Sequence, residues 1–337
     1  MEMYYVGLDL GTKWIYATMI DANKAVIKEA KIDVNQEAVE RFFFGSPKQY
    51  LNVVIEACGI WYDLHDYLVE RCNIVKVANP MQTKLNSSGK KTDKLDSKRL
   101  AELLKADMIC EAYVPPKKAR EYRGRIRHRQ SMVKISVELK NMIYSILRRD
   151  NIKKPDSLDD LFTKKGITWL KSLGINEVQS CLELFAATRI QTDNAKDALP
   201  NYYKKEVGLL KTMPGVGDIT ASAIISEIVD IKRFESPRAL CKYAGLVPKV
   251  MQSGDSDRHG RLVKQSSAIL RTAMVQCAHG AIRTKSDNKL KSFFLGLSHR
   301  KKYNTAVAAL AHKMLYIMWF MLTDNEGFHD GGIQVGE

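Results

Sequence analysis

The sequence predicts an α/β domain followed by a largely helical body, and three observations carry that prediction. Three β-rich runs in succession lead into alternating helical and short apolar segments within residues 4–106. From Arg129 to Arg149 the apolar positions recur at helical spacing. Further on, Pro214-Gly215-Val216-Gly217 separates two segments of helical pattern.

Residues 4–9 and 14–20 are β-rich, and Gly11-Thr12-Lys13 makes the tight turn between them. Residues 25–32 alternate apolar and polar positions, as a half-buried third strand does. Residues 36–44 read as a helix, 52–57 as a short buried strand, 60–71 as a helix, 74–78 as another buried strand and 93–106 as a helix. Three strands followed by α-β-α-β-α is the order of a ribonuclease-H-like fold, a mixed sheet with helices on both faces. Residues 79–92 form a polar connection rich in Gly, Ser and Lys.

The second part is helical. Met132, Ile135, Leu139, Met142, Ile143 and Ile146 predict a long amphipathic helix, one arm of a helical hairpin or coiled coil. Pro155 opens a polar break, and residues 167–210 return as helices. The Pro214–Gly217 turn has the pattern of a helix-hairpin-helix. Residues 251–264 read as a polar, glycine-containing loop, and 266–283 and 305–322 as closing helices. The expected domains are 1–115 (α/β), 116–207 (helical), 208–325 (mainly α, with the hairpin) and a tail, 326–337.

The 337 residues carry 53 Lys and Arg against 38 Asp and Glu, a formal charge of +15. That balance points to a polyanionic partner, most often nucleic acid. The six cysteines are scattered, with no Cys-x-x-Cys and no His at zinc-finger spacing, so a reducing compartment is expected. The N-terminus lacks a signal-peptide pattern. The most apolar stretch, 305–322, is interrupted by His312 and Lys313 and reads as a buried helix, so no membrane is expected as a partner.

Four acidic residues concentrate the chemistry. Asp9 ends the first strand, Glu56 the fourth, and Asp93 and Asp96 share one face of the helix that follows the fifth. In a ribonuclease-H-like order all four converge, and a carboxylate pocket suits a hard divalent metal. Taken singly, Asp93 does no more than favour a helix N-terminus, and Asp9 caps a turn. Lys117, Lys118, Arg120, Arg123, Arg125, Arg127 and Arg129 stand against a single Glu121, a run suited to phosphates. Gly215 and Gly217 would let backbone amides approach a DNA phosphate; an ordinary αα turn has the same pattern. Ser253 lies beside Gly254 with Arg258, Arg261 and Lys264 nearby, and a serine so placed is a candidate nucleophile on phosphorus.

With these residues in place, the chain resembles the insertion-sequence-110 family of transposases, the DEDD recombinases. The matching stretches are Gly7 to Gly11, Ile55-Glu56-Ala57, Thr92 to Ala101, Pro214 to Gly217, Tyr243 to Pro248 and Gln252-Ser253-Gly254, in family order across nearly the whole chain. The resemblance implies a RuvC-like N-terminal domain, a coiled-coil insertion and a C-terminal transposase domain. It maps the four acidic residues onto Asp9, Glu56, Asp93 and Asp96, holding Mg²⁺ or Mn²⁺, and the nucleophile onto Ser253. It implies recombination of double-stranded DNA, at element ends and target, guided by a noncoding bridge RNA. A homo-oligomer, dimer or tetramer, in the prokaryotic cytoplasm with the nucleoid is expected. Four positions depart from the family pattern. Asp255 follows Ser253-Gly254 where a second Gly is frequent, Ser266-Ser267 stands where Gly-Asn is frequent, and Ser97 replaces an Ala. Ser256, Ser266 and Ser267 therefore stay open as nucleophiles.

Three rivals are weighed against this reading. A sugar-kinase-like phosphotransferase shares the Asp9-Leu10-Gly11-Thr12 loop, but its second Asp-Gly hairpin would fall at Asp330-Gly331-Gly332, with no room for a domain after it. A RuvC-type junction nuclease would need the carboxylates alone, and a non-catalytic nucleic-acid scaffold would need neither carboxylates nor serine.

Overall fold

A computed structural model of the chain describes residues 3–59, 61–80, 92–253, 256–262 and 266–330. It divides into two compact units, Met1–Val114 and Pro115–Glu337.

The first unit is built on a mixed five-stranded sheet of order β3-β2-β1-β4-β5. Strand β1 (Tyr4–Leu10) lies at the centre, antiparallel to β2 (Trp14–Ile20) and parallel to β4 (Leu51–Glu56). Beyond them β3 (Val26–Asp33) pairs antiparallel with β2, and β5 (Ile74–Ala78) parallel with β4. The period-two alternation of a strand sorts β1 into two faces. Val6, Leu8 and Leu10 enter a core with α1 (Gln36–Phe43) and α2 (Trp61–Arg71) through Val39, Phe42, Leu64 and Leu68. Tyr5 of the opposite face packs with Leu100 and Leu104 of α3 (Asp93–Lys105). Helices thus cover both faces, as the ribonuclease-H-like order requires. Asn35 caps α1 by accepting a hydrogen bond from the Ala38 amide at 2.8 Å. Most of the polar connection, residues 81–91, lies outside the described residues.

The second unit is helical. Helix α4 (Lys117–Arg149) starts well before Arg129, because Ala119, Tyr122 and Ile126 extend its apolar stripe through the arginine-rich stretch. It packs along α6 (Asn176–Asp197), with α5 (Lys164–Ser172) between them in sequence, around Leu139, Ile143, Phe162, Leu182 and Phe185. Then follow α7 (Lys204–Lys211), α8 (Asp218–Ile228) and α9 (Pro237–Tyr243).

The segment read as a loop after Pro248 is instead a two-stranded antiparallel hairpin, β6 (Pro248–Ser253) with β7 (Ser256–Leu262). Its polar composition hid the ladder, which is held by backbone pairing rather than by an apolar pattern. Helices α10 (Ala268–Arg283), α11 (Lys289–Ser298) and α12 (Tyr303–Asp324) close the unit. By length and composition α12 would span a bilayer. Its Leu310, Met314 and Met318 are instead fully buried in the core it forms with α7, α9 and α10, so it is the core helix of this unit.

Candidate carboxylate site and nucleic-acid interface

Gly7 fixes the geometry of the carboxylate end of the sheet. A Cβ at that position would stand 2.0 Å from the Ser97 carbonyl oxygen and 2.7 Å from the Ala101 amide. Only glycine lets α3 lie this close to β1. The contact is locked by two oxygens: Ser97 Oγ donates to the Lys94 carbonyl at 3.0 Å and meets the buried Thr18 hydroxyl at 2.7 Å. Ser97 therefore carries a bond that an alanine would leave unmade. Lys94 adds an ion pair to Glu29 of β3 at 2.8 Å, and Thr92 caps the helix by accepting from the Leu95 amide.

That placement brings Asp93 and Asp96, in the first turn of α3, toward Asp9 and Glu56. Asp9 lies two residues beyond Gly7 and so shares its α3-facing side of β1. Burial, and then the charges of Glu56, Asp93 and Asp96, push the Asp9 carboxyl up to about 6. Among the described residues no three acidic, His or Cys side chains are drawn into a closed metal cage. Asp96 is shared with Arg99, at 3.9 Å. The donor set nonetheless fits a hard cation: all four groups offer carboxylate oxygen, and their mutual repulsion is what a divalent ion relieves.

A pH dependence follows from that burial and repulsion. The unfolded Asp9 ionises near 3.8 and the folded one near 6, so stability falls as pH rises through that window and stays reduced above it. In metal-free protein Asp9→Asn is expected to raise the unfolding temperature at about pH 7.5. The gain over wild type should shrink as pH falls through about 6 and vanish near 3.8. Thermal melts across that range, with a chelator present, check it; a gain that is constant with pH would contradict the shared site.

In the second unit the structure divides the basic run. Arg120 Nε donates to the Pro115 carbonyl at 2.6 Å. Arg125 pairs with Glu121 at 3.0 Å and donates to the Ala198 carbonyl. Lys118 lies 6.0 Å from the Tyr202 ring, and Lys117 begins the helix. Arg123 and Arg127 both reach Glu227 of α8, at 3.8 and 3.1 Å, and Arg123 also donates to the Ser226 carbonyl. Glu227 is 2% exposed, and its other oxygen accepts from Ser267 at 3.0 Å. Arg123 and Arg127 thus neutralise a buried carboxylate, a role the run of arginines did not reveal. Arg129 differs again. Its Nε is buried without a hydrogen-bond partner among the described residues, beside a groove of about 290 Å³ that it lines with Lys134, Thr220 and Gln276.

The two hairpin glycines also part company. Gly215 has φ +83°, and a Cβ there would stand 2.2 Å from the Ala281 amide and 2.4 Å from the Cys277 carbonyl. Its lack of a side chain serves close packing on α10. Gly217 faces open space and precedes α8, with its own amide donating to Thr220 Oγ1 at 3.0 Å. Asp218 in that first turn pairs with Lys211 at 2.6 Å.

Ser253 ends β6 and stands opposite Ser256 in the ladder; Arg258 stands opposite Met251, and Arg261 is in β7. Lys264 lies outside the described residues. Ser267 caps α10 by accepting from the Leu270 amide while donating to Glu227, and Ser266 accepts from Arg271. Glu227 and Ser267 therefore tie the N-terminus of α10 to α8. The sequence signal for it was the Ser267 cap before an apolar helix.

Comparison with known proteins accords with this geometry. Residues 6–151 match the family model of the DEDD transposases of IS110, and residues 207–294 that of the IS116/IS110/IS902 transposase family. Together they take in most of the chain and both units. The chain belongs to the IS110 family of transposases, enzymes that cut and rejoin DNA. Among its relatives is a probable family 20 transposase of Pseudomonas aeruginosa, 25% identical over 98% of this chain and 100% of its own length. Another is the transposase for insertion sequence element IS1111A of Coxiella burnetii, 24% identical over 83% of this chain and 79% of its own. The transposase for IS1328 of Yersinia enterocolitica is 24% identical over 82% and 85%.

Proposed function

We propose that the chain recombines the ends of its insertion sequence with target DNA through a Ser253–DNA ester, in a ribonuclease-H-like, carboxylate-bearing enzyme. A noncoding bridge RNA from the element selects the DNA, and the working form is a dimer or tetramer. The observation that carries the reading is the raised Asp9 carboxyl, held up by burial and then by three other carboxylates that act on it from β4 and α3. Asp9, Glu56, Asp93 and Asp96 would hold Mg²⁺ or Mn²⁺, which when bound orients the scissile phosphate and acidifies a hydroxyl.

Ser253 Oγ forms a bond to phosphorus while the bond to the leaving deoxyribose oxygen breaks. The proton lost from Oγ is balanced by the one that the leaving oxygen gains. A hydroxyl of the exchanged strand then attacks the ester, Oγ departs and regains its proton, and no phosphodiester is lost. No nucleotide cofactor is therefore needed. Arg258, Arg261 and Lys264 offset the charge at phosphorus, and the exposed cations of α4 supply sequence-independent phosphate contacts. Ser266 and Ser267 are taken up in structural hydrogen bonds, which favours Ser253 over them.

Incubation with Mg²⁺, the copurified RNA and element-end DNA is expected to trap a protein–DNA adduct that survives denaturant. Ser253→Ala should remove it and Ser256→Ala should keep it. An adduct lost only in Ser256→Ala moves the nucleophile across the hairpin. No adduct at all, with DNA cut hydrolytically, replaces this reading by a RuvC-type nuclease.

A further inference from the structure

The carboxylate face of the sheet continues past Asp9. Register sets Tyr16 of β2 opposite Asp9, and Lys31 of β3 opposite Tyr16. Opposed residues share a face, so Asp9, Tyr16 and Lys31 form one row across three strands. At about 4.8 Å per strand the row ends about 10 Å from Asp9. Trp14, two residues before Tyr16, stands on the same face and at the same end of the sheet, where its carbonyl accepts from the Gly11 amide at 2.8 Å.

Here the sequence places a side chain that packing does not explain. Trp14 is 47% exposed, and the Lys31 ammonium lies 5.0 Å from the centre of its ring. From them a groove of about 340 Å³ runs along the edge strand β3 to α1, the helix of the opposite face, lined also by Lys28, Ile32, Asp33, Arg41 and Phe42. Lys28 is spent on the carbonyls of Arg41 and Phe42 at the end of α1; the Lys31 and Arg41 side chains are exposed. An exposed indole among cations combines a stacking platform with counter-charges for phosphate. Bases of a duplex are stacked on one another and do not reach an indole at the protein surface. An unpaired base does.

We propose that this groove binds one unpaired nucleotide of a nucleic-acid strand, with the base stacked on Trp14 and the phosphate paired with Lys31 and Arg41. The proposal rests on nucleic acid as the substrate, and on neither Ser253 nor the guide.

The test uses the full chain with a short oligothymidine, a short oligouridine and a duplex of the same length. The difference in emission between wild type and Trp14→Phe isolates the Trp14 signal. It is expected to be quenched by at least one single strand and not by the duplex, and the two single strands distinguish DNA from RNA as the source. Trp14→Ala should weaken single-strand binding roughly tenfold, Trp14→Phe should retain most of it, and both should bind duplex as wild type does. Lys31→Ala should lower the salt slope by about one unit. A silent Trp14 signal with single strand bound, or an equal loss on duplex, overturns the site while leaving the transposase reading intact. Binding of no nucleic acid in any form overturns both.

Discussion

Asp9→Asn, Glu56→Gln, Asp93→Asn and Asp96→Asn are each expected to reduce strand exchange by about a thousandfold or more, with the fold retained. A divalent ion held by carboxylates supplies several kcal/mol of charge stabilisation at phosphorus, and each tenfold in rate is about 1.4 kcal/mol. Removing one ligand oxygen misplaces the ion, so the loss approaches the whole of that term. The four should also be non-additive: a double variant should be little worse than either single one, because they act as a unit. Their amides remove repulsion from a site in which Asp9 is already pushed up to about 6. Loss of activity should therefore come without loss of stability. Strand-exchange assays paired with thermal melts read both. Normal exchange by two of the four variants would end the shared-site account.

Arg123→Met is expected to destabilise the second unit by about 3 kcal/mol, or about 6–12 °C in unfolding temperature, whereas Arg125→Met costs under about 1 kcal/mol. The two arginines are two residues apart on α4 and differ in what they meet. Arg123 is 11% exposed and faces Glu227, which is 2% exposed; Arg125 and its partner Glu121 are 45% and 44% exposed. Losing Arg123 leaves the buried Glu227 to the half-exposed Arg127 and to Ser267, while an exposed pair simply exchanges its partner for solvent. The double variant Arg123→Met/Glu227→Leu should recover most of the loss, since replacing both members of a buried pair by apolar groups is often neutral. Chemical unfolding of the three variants checks the order. Equal costs for Arg123→Met and Arg125→Met would mean that Glu227 is not the buried anchor it is taken to be.

These two residues also mark the limit of what sequence reading reaches. The sheet was legible because alternation and element order are local: β2 and β5 fall where the pattern put them, and β1, β3 and β4 within a residue. The meeting of Asp9 with Glu56, Asp93 and Asp96 was legible because order along the chain fixes which strand ends are neighbours. Partners remote in sequence were not. The arginines of α4 look alike as a run of charge, and nothing near Glu227 announces that it is buried between α4 and Ser267. Gly215 looked like a phosphate-approach glycine because its turn has that pattern; its contact with the α10 backbone lies 60 or more residues away. The short helices α9 and α11 carried their start signals openly, Ser236-Pro237 and Asn288.

The central claim is that four carboxylates from β1, β4 and α3 form one cation site. Calorimetric titration of the full chain with Mn²⁺, for wild type and for each single amide variant, tests it most directly. The account predicts saturable binding to wild type that weakens in all four variants and tightens as pH rises through about 6, where Asp9 loses its proton. Binding that survives unchanged in Asp9→Asn and Glu56→Gln would contradict it.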